Sequence, residues 1–179
     1  MTERVFVDTN LFLRYITNDV PEQADAVERL LERAGAGEIT LVTNSLVICE
    51  IVWTLESFYR MARPAIREQV LAILNTPGLE VTDGDQVLQA INWHVEKNIS
   101  YGDAHHAAWS MARGIQTIYT FDRKHFARIA RRRLTGQISV KTSIAFIGPG
   151  AVDVRLGLIE AGEQMLDQAN ALRGRKLRR

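Results

Sequence analysis

The sequence predicts an α/β fold class, and three observations carry that prediction. Short apolar, β-rich runs alternate with longer segments in which apolar residues recur at helical spacing. The runs show little polar alternation, as strands of a parallel sheet covered on both faces do. Two of them, VFV at 5–7 and QTIYTF at 116–121, lead directly into an aspartate, Asp8 and Asp122. Strands separated by helices of this length imply right-handed crossovers and helices on both faces of the sheet. In such sheets ligands gather at the carboxyl ends of the strands, where both aspartates stand.

The first strand is expected at 5–7, buried on both faces and followed by a loop. Pro21 suits the start of a helix in which Ala26, Val27, Leu30 and Leu31 keep helical spacing until AGAG at 34–37. ITLVTN at 39–44 is the second strand, and Ser45 is placed as the N-cap of the helix LVICEIVWTLESFYR. Pro64 opens a helix that runs to Leu74, and TPG at 76–78 ends it before the brief strand LEV. Asp83 is placed as the cap of a helix over 85–97. Another helix, from about 103 to 113, ends at Gly114, a natural left-handed position. After GPG at 148–150 the spacing of Leu158, Ile159, Met165, Leu166 and Leu172 predicts an extra helix with a basic end. The chain is therefore divided into a main domain over 1–147 and a helical extension over 148–179.

A chain of 179 residues with 46% hydrophobic and 24% charged residues has the balance of one globular domain with an appendage. Basic and acidic residues number 22 and 21, so net charge names no partner. Their distribution says more: RKHFARIARRR at 123–133 and RGRKLRR at 173–179 gather positive charge in the last third, as phosphate contacts or as solvated helix faces. A single cysteine excludes an internal disulfide and a cysteine-built metal site. With no secretory apolar core at the N-terminus and no run approaching ~20 apolar residues, the expected location is the cytoplasm, without a membrane span.

Asp8 ends an apolar strand, and a carboxylate at the edge of a core needs a positive partner. Glu50 interrupts the apolar segment LVICEIVW and faces either a polar cleft or solvent. Asp103 begins a helix, where N-capping competes with metal binding; the small residues Ala104, Ala107 and Ala108 favour a site by letting that helix approach the sheet. Asp122 repeats the pattern of Asp8. Singly, each acid suits a turn or a cap. Together, two strand-end aspartates and two helix-borne acids form a set that hard divalent ions use, Mg²⁺ or Mn²⁺, which activate water and steady a leaving oxygen in phosphodiester cleavage.

With V-D-T-N at 7–10, Glu50 in the helix after the second strand, D-A-x-x-A-A at 103–108 and T-F-D-x-x-H-F at 120–126, the chain resembles the PIN-domain ribonucleases. Among them it looks most like the VapC-type toxins of toxin–antitoxin pairs, over about the first 147 residues. The resemblance implies a three-layer α/β/α fold with a mainly parallel central sheet. It also implies that Asp8, Glu50, Asp103 and Asp122 coordinate one or two Mg²⁺ ions, with Asn10 bracing the Asp8 turn and Thr120 touching water or a substrate phosphate. Arg123, Lys124 and Arg128 become candidate contacts to the RNA backbone. The implied activity is endoribonucleolytic cleavage of structured RNA such as tRNA or rRNA, leaving a 3′-hydroxyl and a 5′-phosphate. A cognate antitoxin and a homodimer are the implied partners. His105 and His106 stand where the family commonly has small apolar residues, and the extension after Gly148 exceeds the minimal domain.

Four carboxylates gathered without a cation repel one another, so added Mg²⁺ is expected to stabilise the fold. Other assignments remain beside the toxin: a housekeeping RNA-processing nuclease, or a non-catalytic module that binds RNA or protein. A phosphatase with an aspartate nucleophile would carry a second aspartate where this chain has Asn10. The histidines His94, His105, His106 and His125 lack metal-ligand spacing and read as structural or surface residues. Cys49 reads as a buried small hydrophobe, and Trp53, Trp93 and Trp109 as core or subunit-contact residues.

Overall fold

The structure is a computed structural model and describes residues 2–115, 117–130, 142–146 and 153–156. They fall into two compact units, residues 1–108 and 109–179. The first holds β1 (Glu3–Phe6), α1 (Thr9–Thr17), α2 (Pro21–Gly35), β2 (Ile39–Thr43), α3 (Ser45–Ser57), α4 (Arg63–Leu74), β3 (Leu79–Val81), α5 (Gly84–Glu96) and most of α6 (Tyr101–Ala112). The second holds the end of α6, β4 (Thr117–Thr120), α7 (Arg123–Ala130), β5 (Thr142–Phe146) and β6 (Asp153–Leu156). The α/β class expected from the sequence is borne out, with helices alternating with parallel strands.

In the first unit β1, β2 and β3 form a parallel sheet in that order. Along β2, Ile39, Leu41 and Thr43 are buried while Thr40 and Val42 are half-buried, so both faces of this central strand are covered, one more fully. The main apolar contribution comes from α3, whose Ile48, Ile51, Val52 and Leu55 recur at helical spacing and are essentially inaccessible to water. Burial of each such side chain stabilises the fold by about 1.5–3 kcal/mol. Ile66 and Val70 of α4 and Val87 and Ile91 of α5 complete this core. Gly78, just before β3, passes its carbonyl to the Leu41 amide at 2.9 Å; its φ of +76° and a Cβ position only 2.2 Å from the Ala34 carbonyl oxygen admit no side chain.

Several expectations are corrected. The first strand is not buried on both faces: Glu3, Arg4 and Phe6 are exposed, Phe6 to 58%, because β1 ends the sheet order and pairs only with β2 there. The segment expected to be a loop after it forms α1, started by Asp8 and anchored by buried Phe12 and Leu13. The N-cap of α3 is Asn44 and not Ser45; its carboxamide oxygen accepts from the Leu46 and Val47 amides at 3.1 Å each. Asp83 takes the cap position of α5 in a left-handed conformation without a side-chain capping bond. Gly114 does adopt the left-handed conformation expected of it, with φ of +66°.

In the second unit β5 lies between β4, to which it is parallel, and β6, to which it is antiparallel. Asp153–Leu156 belongs to the stretch expected to be helical and is instead a strand, since the backbone of β5 offers it a ladder. Residues 157–179, with the remainder of the expected helix and its basic tail, lie outside the described residues, as do Arg131, Arg132 and Arg133. Among the described residues no helix is long and apolar enough to cross a membrane.

Candidate active site

The position of Asp8 is set by the residue before it. Val7 is buried; its amide donates to the Val42 carbonyl at 2.9 Å, and its carbonyl accepts from the buried Thr43 hydroxyl at 3.0 Å. The chain then turns outward. Asp8 is exposed and caps α1, its carboxylate accepting from the Leu11 amide at 3.3 Å. The carboxylate thus stands at the rim of the core, as expected, but is open to solvent, so the burial cost anticipated for its charge does not arise.

Thr9, the next residue, is buried, and its hydroxyl donates to Oε2 of Glu50. That bond brings the first turn of α1, which Asp8 caps, to the middle of α3. Of the two alternatives for Glu50, a cleft and a solvent-facing side, the structure combines both. The residue is exposed, and it lines a groove of about 520 Å³ together with Leu46, Cys49, Trp53, Glu56 and Ser100. Burial raises the Cys49 thiol pKa, with a smaller contribution from the Glu50 charge, so this half-buried cysteine stays protonated and unreactive near neutrality.

Asp103 lies in the first turn of α6 and is not its cap. Ser100 fills the capping role: its hydroxyl accepts the Asp103 amide at 3.1 Å and also donates to the Asp103 carboxylate. Ser100 lines the same groove as Glu50. Ala104, Ala107 and Ala108 are buried, as their size suggested. The loop leading to Ser100 is held by Arg63, which pairs with Glu56 Oε1 at 2.7 Å and donates to Asn98 Oδ1 at 2.7 Å and the Ile99 carbonyl at 3.2 Å.

Next to this loop His94 is fully buried, with Nδ1 2.7 Å from the Ile99 carbonyl oxygen. Its Nε2 faces Glu56 Oε2 at 3.7 Å, beyond hydrogen-bonding range. The bond to a carbonyl assigns the proton of the neutral ring to Nδ1. Burial, more than any neighbour, lowers the pKa of this ring.

Asp122 and Thr120 belong to the second unit. Asp122 follows β4 and precedes α7; its amide donates to the Thr120 hydroxyl oxygen at 3.0 Å, and Oδ1 accepts the His125 amide at 2.9 Å. The His125 ring places Nδ1 3.1 Å from the other carboxylate oxygen. Arg123 and Lys124 are exposed at the start of α7 and Arg128 is half-buried.

Ser100 is the residue that sequence reasoning passed over, and Thr9 was read only as a hydroxyl of the turn after Asp8; each is adjacent or hydrogen-bonded to a singled-out acid. The D-T-N turn and the S-x-x-D spacing were the signals for them. Asn10 is exposed, and the bond that braces the turn is the one between Asp8 and the Leu11 amide. Of the two places expected for Trp53, the core is excluded: it is 68% exposed on the groove, because the buried stripe of α3 lies on the opposite side of the helix.

Carboxylates held by hydroxyls and amides, as Glu50 is by Thr9 and Asp8 by the Leu11 amide, are hard oxygen donors of the kind a hard divalent cation takes. Residues 5–132 match the family model described as PIN domain. No curated protein matches the chain. Among solved structures, one similar chain is Mycobacterium tuberculosis VapC20, described as a Sarcin-Ricin loop cleaving toxin; it is 26% identical, the match covers 69% of this chain and 93% of that one, and the TM-score is 0.30.

Proposed function

This chain belongs to the PIN-domain family, and we propose that it is a Mg²⁺-dependent endoribonuclease acting as the toxin of a toxin–antitoxin pair. The observation that carries the nuclease assignment is the junction of Asp8, Thr9 and Glu50 inside the matched region. Among the described residues Asp8 accepts a single long amide bond and Glu50 a single hydroxyl bond, so each keeps a carboxylate oxygen open for a cation. That donor set fits Mg²⁺, with Mn²⁺ as a substitute.

In this assignment Asp8, Glu50, Asp103 and Asp122 are the ligands. Bound among them, Mg²⁺ supplies charge neutralisation and lowers the pKa of water. The protein's own part is positional. Val7 fixes the Asp8 turn, Thr9 holds the Glu50 carboxylate, and Ser100 holds that of Asp103. One aspartate accepts the proton of the attacking water; the water oxygen bonds to phosphorus, the P–O3′ bond breaks, and the products are a 3′-hydroxyl and a 5′-phosphate. Asn10 and Thr120 support the site, and Arg123, Lys124 and Arg128 bind flanking phosphates. The substrate class is structured RNA such as tRNA or rRNA, the regulator is a cognate antitoxin, and the assembly is a homodimer in the cytoplasm. Support for these finer assignments is the likeness of the four motifs to VapC-type toxins.

The test is incubation of total cellular RNA with the purified protein, in Mg²⁺ or EDTA, beside Asp8→Asn. Discrete fragments that need both the metal and Asp8 are expected. Intact RNA in every lane, with RNA or a small protein still bound, would remove catalysis and leave a binding module.

A further inference from the structure

The exposed face of α3 carries Leu46, Glu50 and Trp53, which recur at helical spacing and so form one stripe. Leu46 is 73% exposed and Trp53 68%, and both line the groove that also contains Glu50. An indole left in water one turn from a proposed ligand, about 5–6 Å away between Cβ atoms, adds little to the stability of the fold. We propose that this groove is a nucleobase subsite, in which a base adjacent to the scissile phosphate stacks on Trp53. The proposal rests on the nuclease assignment for its substrate and goes beyond it by naming where a flanking base is held.

Charge favours a base over a phosphate as the occupant. Glu56, the groove acid outside the proposed ligand set, disfavours a phosphate there and accepts hydrogen bonds from the amino edge of a base. Glu56 is arranged for that purpose. Its Oε1 is taken by Arg63 at 2.7 Å, while Oε2 makes no hydrogen bond among the described residues, His94 Nε2 lying 3.7 Å away. A flat aromatic surface, apolar flanks from Leu46 and Val52, and a carboxylate acceptor together suit a planar heterocycle bearing N–H groups.

The experiment measures binding of fluorescein-labelled RNA hexamers by anisotropy, using the Asp8→Asn protein so that no strand is cut. Trp53→Ala and Trp53→Phe are added to that background, and each hexamer is compared with one carrying a single abasic nucleotide. Trp53→Ala is expected to weaken binding about ten-fold and Trp53→Phe less, as removal of a stacking partner does. The abasic nucleotide should weaken binding to the Trp53 protein by a similar factor and add nothing in Trp53→Ala. Equal binding by all three proteins, or penalties that simply add, would overturn the subsite. So would unchanged RNA binding with a change of oligomeric state in Trp53→Ala by sedimentation, which would make the groove a protein interface. Because binding is read without cleavage, failure of the nuclease assignment in the total-RNA experiment is scored separately from failure here.

Discussion

The Thr9 hydroxyl donates to the Glu50 carboxylate, joining the first turn of α1 to the centre of α3 across 41 residues of sequence. Thr9 is buried and Glu50 is exposed, so the bond holds a solvated acid by a group that cannot move away. Thr9→Val keeps the shape and removes the donor. It should lower stability by about 1–2 kcal/mol and slow RNA cleavage about ten-fold, with Thr9→Ser restoring most of the rate. Denaturant unfolding and single-turnover cleavage measure the two effects; a rate unchanged in Thr9→Val would remove the positioning role.

Divalent metal should stabilise the folded protein if the acids are its ligands. At a Mg²⁺ concentration about 100-fold above the dissociation constant, linkage stabilises the fold by about 2.7 kcal/mol, or roughly 5–10 °C in Tm. Thermal unfolding in Mg²⁺ and in EDTA reads this directly. In Asp8→Asn and Glu50→Gln the increment should shrink, and a shift of equal size in both variants would place the bound ion elsewhere.

His94 makes stability depend on pH in a definite direction. Its folded pKa is lowered by burial, with Arg63 of α4 also opposing the charge and Glu56 of α3 and the Ile99 carbonyl favouring it; Tyr101 of α6 packs edge-on against the ring at 6.3 Å. The unfolded chain therefore binds a proton at higher pH than the folded one. The contribution of neutral His94 is complete above about pH 6.5 and is lost as pH falls below that toward the depressed folded value. Urea unfolding at pH 7.5 and 5.5 should show this loss in the wild type. His94→Asn, though less stable throughout, should show a smaller difference between the two.

Gly78→Ala tests the packing of α2 against the turn before β3. The new Cβ would meet the Ala34 carbonyl oxygen at 2.2 Å, and the φ of +76° adds backbone strain. The loss should be about 3 kcal/mol, or roughly 6–12 °C in Tm. Gly37→Ala, with a φ of +79° but nothing within 4 Å, should lose only the strain. Differential scanning calorimetry of the pair separates collision from conformation.

Local signals carried much of the fold. Pro21 and Pro64, the apolar runs at β2 and β3, and the left-handed glycine at 114 each act within a few residues, and the corresponding elements formed as expected. Asp8 and Asp122 stand at strand ends because the sequence places each directly after an apolar run. Local signals also misled: Asn44 outcompeted Ser45 as a cap because its longer side chain reaches two amides, and α1 went unread because its buried pair, Phe12 and Leu13, is too short a pattern to announce a helix.

By itself, then, the sequence determined the order of strands and helices, the acids at their ends and the family motifs, since these depend on groups a turn or less apart. Only the tertiary structure decided that Asp8 faces water, that the Thr9 hydroxyl reaches Glu50, that Trp53 lies on a groove and not in the core, and that Asp153–Leu156 is a strand. The physical reason is common to all four. Exposure and long-range hydrogen bonds depend on which surface of each element its neighbours cover, and those neighbours lie tens of residues away in the chain.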